Sequence, residues 1–206
     1  MSASLILSSE IIVHKEAAQD AWDLWKNGEI AGFHREAYRG ESEPQRFLEL
    51  IALPTVESLF SVLEGRQEFV RNMRNTLASD WHQQVLTLVN EVKPGEAPLP
   101  RAGKLQLRYI EVPLSVQDEY LAWRESTIFD VVRNAPQVSS FAAYHTLLSM
   151  QPGVMFLSAF EGDTVSYSKD VFETERYQEI VKQAGSRFIA GGENGLYTRV
   201  FVREES

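Results

Sequence analysis

Hydrophobic and polar positions follow two periods along this chain, and the switches between them outline its elements. Residues 4–13, SLILSSEIIV, predict a strand. KEAAQDAWDLWKNGEI then predicts a helix carrying Trp22 and Trp25. GFHREAYRG and RFLELIAL predict two strands, split by Glu43 and Pro44. Thr55 is placed to cap a long helix with apolar positions Val56, Leu59, Phe60 and Leu63, which resume after Gly65 as Phe69, Val70, Met73 and Leu77. HQQVLTLVNEV predicts one more strand. The chain then enters VKPGEAPLPRAG, where Pro94, Pro98 and Pro100 deny regular hydrogen bonding.

Beyond this linker the same order returns. KLQLRYIEV predicts a strand, and LSVQDEYLAWRESTIFDVV a helix with Ser115 and Asp118 at capping-box spacing. Its buried stripe is Val116, Tyr120, Trp123, Thr127 and Val131, and Pro136 ends it. SSFAAYHTLLSM and VMFLSAFEG predict strands around the turn residues Gln151, Pro152 and Gly153. A helix from about Asp170 to Ala184, a break at Gly191, Gly192 and Gly195, and the strand LYTRVFVRE complete the half. Each half reads β-α-β-β-α-β, with Trp25/Trp123, Tyr38/Tyr144, Phe47/Phe156 and Thr87/Thr198 as matching landmarks.

The expectation is an α+β chain of two ferredoxin-like βαββαβ repeats, residues 1–96 and 104–206, joined by a linker at 97–103. In such a repeat both helices cover one face of the sheet. FAAYHTLLSM, VMFLSAF, VLTLV and RFLELIAL are too apolar for the other face to be wet. The two sheets are therefore expected to pack against each other as a pseudo-dimeric α+β barrel. Outer strand edges are left open for pairing between copies.

Composition narrows the function. The 206 residues contain no cysteine, which removes disulfides, thiolate metal sites and cysteine nucleophiles. The net charge of −9, with Lys and Arg scattered singly, argues against nucleic acid and anionic membranes. No apolar run approaches the ~18 residues of a membrane span, and the N-terminus lacks a signal-peptide pattern, so a cytoplasmic location is expected. His14, His34, His82 and His145 show no ligand spacing, so no metal is expected. GGENG at 191–195 precedes a strand rather than a helix, and no G-x-S-x-G is present, so neither a nucleotide loop nor a serine hydrolase is indicated.

The stretch LQLRYIEVPLSVQDEYLAWRE resembles the opening of ferredoxin-like α+β barrel proteins of the NIPSNAP and antibiotic-biosynthesis-monooxygenase kind. There a strand with Arg and Tyr leads into a helix bearing Tyr and Trp; the match falls on Arg108, Tyr109, Tyr120 and Trp123. The first half lacks the Arg-Tyr pair, reading SSEIIV instead. The resemblance implies cofactor-free oxygenases acting on aromatic polyketides, with haem-degrading and haem-binding relatives, and a functional pocket between sheet and helices. A haem-degrading site would want a histidine on the second helix of a half, and neither half supplies one there.

The candidate chemistry is a small organic ligand, no cofactor, and either oxygenation or isomerisation. His145 or Tyr144 would handle the proton, and Arg108 would hold the developing anion. Tyr109, Trp123, His34 and Tyr38 are candidate ligand contacts. Tyr144 and His145 are adjacent on a strand, so only one can face a cavity. The alternative reading of His145 is a core histidine with its bonds satisfied. The alternative for the whole chain is a non-catalytic carrier or assembly protein, its barrel filled by Phe141, Phe156 and Phe160.

Overall fold

The strands are β1 (Leu5–Ile12), β2 (Arg35–Gly40), β3 (Arg46–Leu53), β4 (His82–Lys93), β5 (Lys104–Ile110), β6 (Val138–Leu148), β7 (Val154–Phe160) and β8 (Leu196–Val202). The computed structural model describes residues 1–149, 153–190 and 195–204; the expected turn residues Gln151 and Pro152 and the breaks at Gly191 and Gly192 lie outside them. All pairings are antiparallel, and the sheet closes as a barrel in the order β1-β3-β2-β8-β5-β7-β6-β4. Each half supplies four consecutive strands of that ring in ferredoxin-like order.

Two seams join the halves. β4 pairs with β6 along a bulged ladder, whereas β2 meets β8 only at Arg39↔Val202 and Gly40↔Phe201. These strands are the outer edges that the sequence left open for pairing between copies; here they pair with one another. A closed barrel leaves no bare sheet face.

Counting from the starts of β1 and β5, Tyr38 and Tyr144 are true counterparts. The other landmarks slip: Trp25 corresponds to Arg124, Phe47 to Val154, and Gln83 to Thr198. Residue type is a poorer guide to register than the ladder itself.

Outside the barrel lie α1 (Ala18–Asn27), α2 (Ser58–Gly65), α3 (Gln67–Met73), α4 (Gln117–Ser126), α5 (Ile128–Arg133), α6 (Thr164–Val171) and α7 (Glu175–Phe188). The long helices expected after Thr55 and after Leu114 are each two pieces, and the one expected from about Asp170 starts at Glu175, preceded by α6, most of which the pattern does not predict. Thr127, at φ −123° and ψ −83°, leaves helical geometry between α4 and α5 and bonds its hydroxyl back to the Trp123 carbonyl. The expected caps also differ. Residues Leu114–Val116 form a 3-10 turn ahead of α4, so Ser115 caps nothing, and Thr55 bonds Ser58 rather than capping α2. Asp163 and Thr174 do cap, accepting from Ser166 N and Tyr177 N. No described helix is long and apolar enough to cross a membrane.

Strand alternation divides the core. Inward positions such as Ile6, Leu48, Leu50, Leu86, Leu107 and Leu157 fill the barrel. Outward positions pack under the helices: Ile11 and Phe47 against Trp22 and Trp25, and Phe141, Phe156 and Phe160 against Phe129 and Tyr167. The three phenylalanines that the carrier alternative put inside the barrel therefore lie on its outside, because they occupy the opposite strand parity.

Candidate functional site at the barrel mouth

Followed toward one end of the barrel, inward residues turn from apolar to polar. On β1 they run Ile6, Ser8, Glu10; on β4, Leu86, Gln84, His82; on β8, Phe201, Arg199, Tyr197. β3 begins with Arg46 and β5 carries Tyr109 one residue before its end, both at the same rim. The polar and tyrosine members of these rows, with Trp81, Ser79 and Ser149, line a cavity of about 530 Å³. That is within the range of small-molecule sites, roughly 300–1,000 Å³.

The opposite end is closed. Leu99 of the linker is buried there, and Ala3 N donates to Pro98 O at 2.8 Å. Tyr38 donates its hydroxyl to Pro100 O, and Tyr144 donates to Ala3 O at 3.1 Å. The apolar interior and this plug make the barrel a cup with a cavity at its mouth.

Glu10 organises the mouth. Its carboxylate accepts from Arg199 Nη1 at 2.7 Å and faces Arg46 Nη1 at 3.6 Å. Arg46 is shared, since its Nε donates to Glu43 at 2.5 Å on the outer side. His82 sits directly across the ladder from Glu10, exposed at the rim. Tyr109 and Tyr197 stack with centroids 5.2 Å apart and planes at 19°. The Arg199 guanidinium lies 3.9 Å above the Tyr197 ring. Burial, then Glu111, pushes the Tyr109 phenol up to about 12; burial, then Glu10, raises that of Tyr197. Both stay protonated at neutral pH. The mouth therefore offers phenol and guanidinium donors beside stacking surfaces, with one carboxylate and one imidazole as acceptors.

The residues singled out from the sequence fall in several places. Tyr109 alone is at the mouth. Tyr38 and Tyr144 point into the barrel at the closed end, with their hydroxyls engaged as above. His145 faces the helices: Arg124 Nη1 lies 3.0 Å from its Nε2, and Gln117 Nε2 lies 3.4 Å from its Nδ1. Arg124 is itself buried and also donates to Asn90 Oδ1 at 2.7 Å. Burial, then the Arg124 charge, lowers the imidazole to about 4. It is a neutral acceptor for a buried guanidinium.

Arg108 also faces the helices, donating to the Tyr177 hydroxyl at 2.9 Å. With Trp123 and Tyr120 it lines a space of only about 20 Å³ between sheet and helices. That is where the family resemblance puts a pocket, and here aromatic packing fills it. His34 precedes β2 and is exposed, so it does not share a strand face with Tyr38. Arg108 and Trp123 thus come together, while Tyr144, His145, His34 and Tyr38 stand apart from them. Sequence reasoning missed Glu10, Arg46, His82, Tyr197 and Arg199, whose shared signal is a polar inward position at the same end of each strand. Among the described residues, no cluster of three or more His, Asp or Glu side chains could hold a metal ion.

No family model matches the chain, and no curated protein does. Solved structures do. An anthrone oxidase-like protein aligns over 98% of this chain and 91% of its own, at 11% identity and a TM-score of 0.71. A ferredoxin-fold protein of Listeria monocytogenes 4b F2365, related to antibiotic biosynthesis monooxygenases, aligns over 98% and 96%, at 10% identity and 0.53. A haem-degrading enzyme of Listeria monocytogenes aligns over 97% and 99%, at 7% identity and 0.54. The chain shares the fold of these proteins, which serves more than one chemistry.

Proposed function

We propose that the barrel mouth binds a small aromatic compound and oxygenates it without a cofactor. The observation that carries this reading is the 530 Å³ cavity, in which Glu10 and two arginines sit beside the stacked Tyr109 and Tyr197. The monooxygenase-like and anthrone oxidase-like proteins of the same fold support the reaction class by analogy.

In this reading a carbon acid activated by a neighbouring aryl ketone binds against Tyr197 and Tyr109. His82 takes its proton, and the enolate oxygen is stabilised by the tyrosine phenols and Arg199. The resulting anion is itself the reductant. It reacts with dioxygen, and a CH₂ group with O₂ becomes C=O with release of water, so substrate electrons balance the step. The proton-handling role expected for His145 or Tyr144 passes to His82, and the anion-holding role expected for Arg108 passes to Arg199. Without dioxygen the same enolate can be reprotonated elsewhere, which is isomerisation.

Anthrone is a suitable probe. Wild-type protein should consume one O₂ per anthraquinone formed, and His82→Gln should slow turnover about a hundredfold, the scale of a lost general base. The reading falls if wild type is no faster than buffer, or if His82→Gln and Tyr197→Phe both turn over unchanged.

A further inference from the structure

We infer that the ligand of the mouth carries a permanent negative charge, a carboxylate on an aromatic ring, and that Glu10 occupies its place when the site is empty. This rests on the reading of the mouth as a ligand site and adds to it the chemical class of the ligand.

Among the described residues lining the cavity, Glu10 is the one acidic side chain, and it faces two guanidinium groups. The pairing is uneven. Arg199 is engaged at 2.7 Å, but Arg46 stands 3.6 Å away and is held from the far side by Glu43. A compact carboxylate between two forks that satisfies only one leaves donor capacity directed at the same point. That point adjoins the Tyr197–Tyr109 stack, so an aryl carboxylate can place its ring on the tyrosines and its charge on the arginines. A chain of net charge −9 would otherwise repel such a ligand, and two inward arginines at one rim answer that repulsion locally.

The occupant role of Glu10 makes a prediction that a plain structural ion pair does not. Removing its charge should strengthen anion binding, because the ligand no longer competes with it. A purely structural Glu10 would instead collapse the arginine geometry when neutralised.

The test is calorimetric titration of the full chain with 2-naphthoate and its neutral near-isostere 2-naphthamide. Wild type should bind naphthoate at least tenfold tighter. Glu10→Gln should bind naphthoate several-fold tighter still, with naphthamide little changed. Arg199→Gln should erase the preference and Arg199→Lys should retain part of it; the melting temperature of each variant separates lost binding from lost fold. Equal affinity for both probes, abolished by Tyr197→Ala, would overturn the charge class and keep the ligand site. Weaker naphthoate binding by folded Glu10→Gln would overturn the exchange. Failure of both probes to bind at millimolar concentration would overturn both readings.

Discussion

At the closed end of the barrel Glu36 accepts from Arg101 Nε at 2.7 Å and Arg203 Nε at 2.8 Å; at the mouth Glu10 accepts from Arg199 and faces Arg46. The same trio, one carboxylate between two arginines, stands at both ends of the sheet. Their surroundings differ. Around Glu36 the linker supplies Leu99 and the Pro100 carbonyl, and both arginines engage at hydrogen-bonding distance. Around Glu10 the described residues leave a cavity, one arginine stands back, and aromatic faces line the wall. An ion-pair cluster is therefore not itself the mark of a site. The mark is a cluster whose geometry is incomplete where a cavity opens.

The strongest way to test this contrast is to compare stability costs along one interior. Leu50 is fully buried in the closed part of the barrel, and Leu50→Ala should cost about 2–5 kcal/mol from lost transfer energy and the cavity left behind. Tyr197→Ala at the open rim should cost clearly less, because Tyr197 lines the cavity and is only partly buried. Urea denaturation with matched m-values measures both. Equal costs would mean that the mouth is as structural as the plug.

Much of the barrel was legible from the chain. RFLELIAL coincides with β3, and the two-sided apolarity of FAAYHTLLSM and VMFLSAF correctly called for cover on both faces. The site was less legible because its residues are polar singles spread over five strands. They become a group only when inward parity and rim end are known for each strand. Parity also decides which candidates lie away from the mouth. His145 and Arg108 drew attention as polar residues in apolar strands, yet both fall on the outward parity, where Arg124 and Tyr177 satisfy them. Glu10 and Arg199 sit at inward parity, but SSEIIV and LYTRVFV do not say which face is inward until closure sets it.

Gly153 provides a gentler perturbation of the mouth. A Cβ there would meet the Tyr109 ring at 2.5 Å, so only glycine lets the chain pass behind that tyrosine. Gly153→Ala should push Tyr109 off its stack with Tyr197. The expected cost is about 1–3 kcal/mol of stability from overpacking, with naphthoate binding weakened about tenfold. Tyr109→Phe keeps the ring and should preserve stacking while losing the phenol donor. If Gly153→Ala binds as wild type does, Tyr109 is not part of the wall that a ligand touches.

The smallest expected effect separates a sealed polar cluster from an open one. His145 in the folded chain titrates at about 4, below the ordinary 6.5, because burial and Arg124 disfavour its charge. Between those values the unfolded chain binds a proton that the folded chain does not. Stability is therefore complete above about pH 6.5 and declines as pH falls toward 4. Partial solvent access limits the contribution to about 1–2 kcal/mol. His145→Gln keeps an acceptor for Arg124 without a titrating ring, so its urea midpoint should fall less over this window than that of wild type. Because His145 lies on the helix side of the sheet, the same substitution should leave naphthoate affinity at pH 7 unchanged. A variant with a flattened pH profile and weakened naphthoate binding would join the two regions that the barrel wall is here taken to separate.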